Sequence, residues 1–181
     1  MIGRIPHLAA VALAVLFAVA GCGSSATPTP PTPAPIPAAI PTPSVAVATT
    51  LVQVNAALQT QGLTAIAAIA AVRPAEPPSF GGNPAWPFTV ALKTGTSVLF
   101  VIYEFADANV AAAAGADMAS YLAGGPGRVQ YTSDTQFTLR QVGPPLIFYT
   151  YGFDTSADRV GAATVAAAIA LVGTEIPIKK T

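Results

Sequence analysis

Val98-Leu-Phe-Val-Ile-Tyr-Glu-Phe105 and Leu146-Ile-Phe-Tyr-Thr-Tyr-Gly-Phe153 carry one pattern. At a constant offset of 48 residues, Phe100 answers Phe148, Tyr103 answers Tyr151, Phe105 answers Phe153 and Gly95 answers Gly143. Runs of aromatic and β-branched residues read as strands, because such side chains fit a pleated surface. Each run is preceded by a shorter one, Phe88-Thr-Val90 and Phe137-Thr-Leu139, joined through the glycine that a tight hairpin needs. The shorter runs are displaced by one further residue, which a one-residue difference in hairpin loop length absorbs.

Beyond each strand pair lies an aspartate and then alanine-rich sequence. Asp107 is placed to cap a helix over 108–123, closed by Gly124-Gly125, with Val110, Ala114, Met118, Tyr121 and Leu122 on one face and Asp117 at its edge. The second helix follows Asp154-Thr155, where Thr155-Ser-Ala-Asp158 has capping-box spacing, and runs to about Val172 before Gly173. Val160, Thr164, Ala167 and Leu171 form its expected inner face, leaving Val165 and Ile169 pointing elsewhere. The unit is strand–strand–helix, used twice. The expected fold is α+β, an antiparallel sheet with both helices on one face. A short N-terminal helix over 50–61, closed by Gly62, precedes it. Further strands are expected at 63–72, where alanine and isoleucine fit helix and strand alike and strand is favoured, and at 127–131.

Upstream, the composition changes twice. Residues 24–44 hold proline at almost every second position, which excludes helix and central strand and leaves extended polyproline II. Such a spacer holds a domain up to roughly 60 Å from its attachment point. Ahead of it, Arg4 precedes an uninterrupted apolar run over 8–20. That run is a signal-type segment, too short for a bilayer core that needs roughly 17–25 residues. It ends in Val19-Ala20-Gly21-Cys22, which resembles the lipobox of bacterial lipoproteins. The resemblance implies cleavage before Cys22, lipid attachment to its thiol, and an extracytoplasmic position at the cell surface or in the periplasm. Chemistry agrees, since Cys22 is the one cysteine of the chain and a free thiol is a liability in an exported protein. The expected organisation is therefore a leader over 1–21, an anchor and tether over 22–44, one domain over 45–177 and a tail over 178–181.

Charge and residue types narrow the function. Discarding Arg4 with the leader leaves seven bases against eight acids, scattered along the chain, so nucleic acid is not an expected partner. His7, the one histidine, departs with the leader. Histidine- or thiol-based catalysis and metal sites are then excluded, and no cofactor motif appears. Carboxylate chemistry stays formally open at Glu104 and Asp107, which flank a strand end, but such residues more commonly serve as a strand-end charge and a helix cap.

The stretches Val101-Ile-Tyr-Glu-Phe-Ala-Asp and Pro144-Pro-Leu-Ile-Phe-Tyr-Thr-Tyr-Gly, with the lipobox and linker, resemble small uncharacterised bacterial lipoproteins with one α+β domain. The likeness spans about 58–172 and implies no activity. Relatives carry a tryptophan and a Pro-His pair before the last strand. This chain has Pro144-Pro145 and no histidine there, so no role carries over from that pair.

Two aromatic groups are candidate binding residues. Strand alternation puts Tyr103 on one sheet face with Tyr149 and Tyr151, and two helices on the opposite face would leave these rings open as an interaction patch. The plainer alternative has them finishing a two-sided core. Phe80 and Trp86, the one tryptophan, lie in a Pro/Gly-rich loop over 77–87, where Trp86 either offers an exposed ring to a glycan or protein or closes on the sheet as a lid. The expected function is a lipid-anchored, non-enzymatic binding module. The alternatives are an inhibitor or envelope-assembly factor acting through a sheet edge, and a carboxylate hydrolase.

Overall fold

A computed structural model describes residues 42–69, 73–152 and 158–179. Cys22, the expected lipobox at Val19, Ala20 and Gly21, and Phe153, Asp154 and Thr155 lie outside these residues. The fold is α+β, with three helices and a six-stranded antiparallel sheet.

The first helix, α1 (Val45–Gln59), starts as soon as the prolines stop: the Ser44 side chain accepts from the Val47 N–H at 3.3 Å. It starts earlier than expected from sequence because Val47 and Thr50 are already buried. Its end is a glycine-dependent cap. Gly62 has φ +69°, and the Leu63 N–H returns to the Leu58 carbonyl at 3.1 Å. Strand β1 (Ala65–Ala67) follows, within the expected 63–72, of which 70–72 lie outside the described residues. Its pairing weakens past Ala67 because the Ala68 N–H reaches the Pro87 carbonyl, but Pro87 has no N–H to return.

The hairpin β2 (Ala85–Ala91) and β3 (Ser97–Glu104) leads into α2 (Ala108–Ala123). The hairpin β4 (Gln136–Gln141) and β5 (Pro145–Tyr151) leads into α3 (Arg159–Ala170), and β6 (Thr174–Glu175) closes the sheet. The hairpins close at Leu92–Thr96 and Val142–Pro145, so their loops differ by one residue. Between α2 and β4 the chain makes a 3-10 turn at Arg128–Gln130, where the sequence had pointed to a strand.

The sheet order is β1-β2-β3-β5-β4-β6, which sets the two long aromatic strands side by side at the centre. A two-fold axis normal to the sheet would relate the hairpins and leave both helices on one face. The helices instead lie on opposite faces. On one face Phe88, Phe100, Ile102, Ile147 and Tyr149 pack with residues of α1 and α3. On the other, Val101, Tyr103, Leu139, Leu146 and Phe148 pack with Ala111, Ala114, Met118 and Leu122 of α2. The inner faces of the helices differ from expectation accordingly. In α3 the buried residues are Ala162, Val165, Ala168 and Ile169, while Val160 and Leu171 are 79% and 76% exposed. In α2, Val110 turns outward at 46% exposure. Alanine faces of this kind let a helix approach a sheet closely, and the bulk then comes from the strands.

Candidate functional site

The open tyrosine face does not exist. Antiparallel partners share a face, and the register pairs Phe100 with Tyr149 and Tyr103 with Leu146. Odd residues of β3 therefore share a face with even residues of β5. Tyr103 and Tyr149 point to opposite sides, and both are fully buried. Tyr149 donates to the Ala162 carbonyl at 3.0 Å, which satisfies its phenol inside the first core. Tyr151 is half-buried and stacks on Tyr149 with ring centroids 5.6 Å apart.

Phe80 and Trp86 part company as well. Phe80 sits in a 3-10 turn, Pro78–Phe80, and is fully buried, edge-on to Tyr103 at 4.7 Å and to Phe105 at 5.2 Å. Trp86 is not in a loop but in β2, half-buried against the first core, with its indole Nε1 donating to Glu104 at 3.4 Å. Of the five aromatic candidates, Trp86 and Tyr151 keep some contact with solvent.

Beneath the Phe80 turn lies a polar cluster that sequence reading missed. Arg73 bridges Glu76 at 2.7 Å, donates to the carbonyls of Phe80 and Asn83 at 2.9 and 3.0 Å, and stands 5.7 Å from the Tyr103 ring centre. Ser79 adds a hydrogen bond to Asp117 of α2. Tyr103 Oη and Glu76 Oε2 are both buried, and neither closes a hydrogen bond of good geometry. Burial, and then the Glu76 carboxylate beside it, push the Tyr103 phenol well above its ordinary range. Burial also pushes Tyr131 up to about 12 and Tyr149 well above the usual phenol value. The cluster clamps its loop to the sheet; no local sequence signal distinguishes Arg73 from any other loop arginine.

The two carboxylates left open for acid–base chemistry have structural partners. Glu104 receives the Trp86 indole, and Asp107 Oδ1 accepts from Asn109 and Val110 N–H at 2.8 and 2.9 Å as the cap of α2. Among the described residues, no three His, Cys, Asp or Glu side chains gather as metal ligands, and no helix is long and apolar enough to cross a membrane.

The two sheet edges are covered unequally. At β1, Asn55 of α1 imitates a strand. Its Oδ1 accepts from Ala65 N–H at 2.7 Å and its Nδ2 donates to Ala65 C=O at 3.4 Å. At β4 the cover is thinner. Ladder alternation turns the backbone groups of Phe137 and Leu139 outward, and past β6 the one backbone bond made to them among the described residues is Ile176 N–H to Leu139 C=O at 3.0 Å. Beside them is a cleft of about 270 Å³ lined by Phe137, Thr138, Arg140, Ile176 and Ile178, among others. Compared with protein-family models, curated proteins and solved structures, the chain matches none.

Proposed function

We propose that the chain is a membrane-anchored extracytoplasmic lipoprotein whose folded domain is a non-enzymatic interaction module. The observation that supports it is the junction at Ser44. The proline tether runs to Pro43, and the next residue caps the first helix of the domain, so spacer passes into folded unit without a break. With the apolar leader and Cys22 ahead of it, this order suits a domain held out from a lipid surface to meet something else. Metabolic labelling with a radioactive fatty acid tests the anchor. The chain takes up label and sediments with membranes, and Cys22→Ser loses both. A Cys22→Ser chain that is still labelled would end this reading.

Within it, the open stretch of the β4 edge favours the inhibitor or assembly alternative over recognition by the aromatic face, whose rings are largely committed to the two cores. Trp86, which with Tyr151 keeps some contact with solvent, is an aromatic contact point for a glycan or protein. Trp86→Ala in a pull-down from native membranes separates the two, because loss of a captured partner would place recognition at the indole.

A further inference from the structure

The segment 176–179 leaves β6 and runs on beside β4 in strand-like fashion. Ile176 and Ile178 are half-buried while Pro177 and Lys179 are exposed. Its apolar positions alternate as in a strand, yet among the described residues its ladder holds a single bond, from Ile176 to Leu139. Phe137 N–H and C=O and Leu139 N–H also face this side, and among the described residues they take no backbone partner there. The segment is flanked by open space on both sides. One cleft is the 270 Å³ space toward Phe137, and the other, about 310 Å³, lies toward Ala116, Ala119 and Ser120 of α2.

Between the clefts is a built socket. Gly115 of α2 is buried, and a Cβ placed on it would stand 2.3 Å from Ile176 Cδ1. The helix lacks a side chain at the point where the tail inserts one. The groove thus has the two parts that strand addition uses, backbone groups for affinity and a side-chain socket for selectivity. Its present occupant shows the chemistry it accepts: an extended segment with β-branched residues two positions apart.

We infer that residues 176–179 form a displaceable strap over the β4 edge, and that the groove beneath it receives an extended peptide of the same alternating β-branched kind from a partner protein. This rests on the interaction-module reading. It is tested with purified protein in the absence of membrane, so failure of the anchor leaves the result unaffected. A fluorescent peptide with the sequence of residues 173–181 is titrated into the chain, into the chain ending at Glu175, and into that shortened chain carrying Gly115→Val. The shortened chain binds at least ten-fold tighter than the intact one, and Gly115→Val removes the gain. Equal affinity for the intact and shortened chains overturns the proposal. So does loss of a cooperative thermal transition on shortening, since the tail would then be core and not strap. In the intact chain, the Ile176 amide exchanges with deuterium at least a hundred-fold faster than the Phe148 amide in the central strand; equal rates also overturn it.

Discussion

Ile176 fills the space that a side chain on Gly115 would take, with 2.3 Å between its Cδ1 and the position of a Cβ there. The pair joins the C-terminal segment to α2 across some 60 residues of sequence, and it carries the first prediction. Alanine at 115 gains about 1 kcal/mol of helix propensity. The atom it meets is the far end of a flexible side chain, which moves aside. Gly115→Ala therefore changes global stability by less than about 1 kcal/mol while speeding exchange at the Ile176 amide. Gly115→Val, with two more branch atoms, costs about 1–3 kcal/mol in a denaturant titration.

Asp107 illustrates how a candidate catalytic group becomes a structural one. Two N–H groups of the first turn of α2 depend on its Oδ1. Asp107→Ala should cost about 1 kcal/mol, and Asp107→Asn or Ser much less, read as a shift of the urea midpoint at unchanged slope.

Asn55 has no counterpart in any sequence pattern of edge protection, because its partner strand is a tertiary neighbour ten residues on. Removing it exposes both backbone groups of Ala65 at the β1 edge. Asn55→Ala is expected to destabilise by about 1–3 kcal/mol and to raise concentration-dependent association, followed by light scattering on heating. An Asn55→Ala chain of unchanged stability would show that solvent serves Ala65 equally well.

Thr150 carries a buried hydroxyl without a hydrogen-bond partner, on the face of β5 that meets Phe137. Valine keeps its shape and drops the polar atom. Thr150→Val is expected to be neutral or stabilising by up to about 1 kcal/mol in thermal melts.

Alkaline pH tests the buried phenols. Tyr103, Tyr131 and Tyr149 all have pKa values raised by burial, Tyr131 to about 12. Above pH 10 the unfolded chain releases these protons while the native chain keeps them. The unfolded state then binds fewer protons, and stability falls with rising pH. The contribution is full below about pH 10 and is lost as pH climbs through the native values. Denaturant midpoints measured from pH 8 to 12 should stay level and then drop. Tyr149→Phe makes the drop shallower, because one fewer phenol is deprotonated on unfolding, though it also loses the bond to Ala162 at every pH.

Much of this architecture is legible in one dimension. Hairpins with their glycines, the 108–123 helix with its aspartate cap, and the α+β class all follow from local rules of pleat, turn and cap, and those rules act over a few residues. The lipobox-like Val19–Cys22, the apolar run before it and the proline-rich stretch after it are equally local, which is why the proposed anchor is a matter of sequence alone. What sequence reading could not reach is how the two hairpins meet. A strand shows two faces, and nothing in it says which face of its neighbour it will join; that depends on the register of β3 against β5. One residue of register exchanges every side chain between faces. The pairing of Tyr103 with Leu146, rather than a level match of the repeat, buried both tyrosines and carried α2 and α3 to opposite sides. It removed the open aromatic face and left the β4 edge, with Ile176 seated against Gly115, as the place where this domain meets a partner in our proposal.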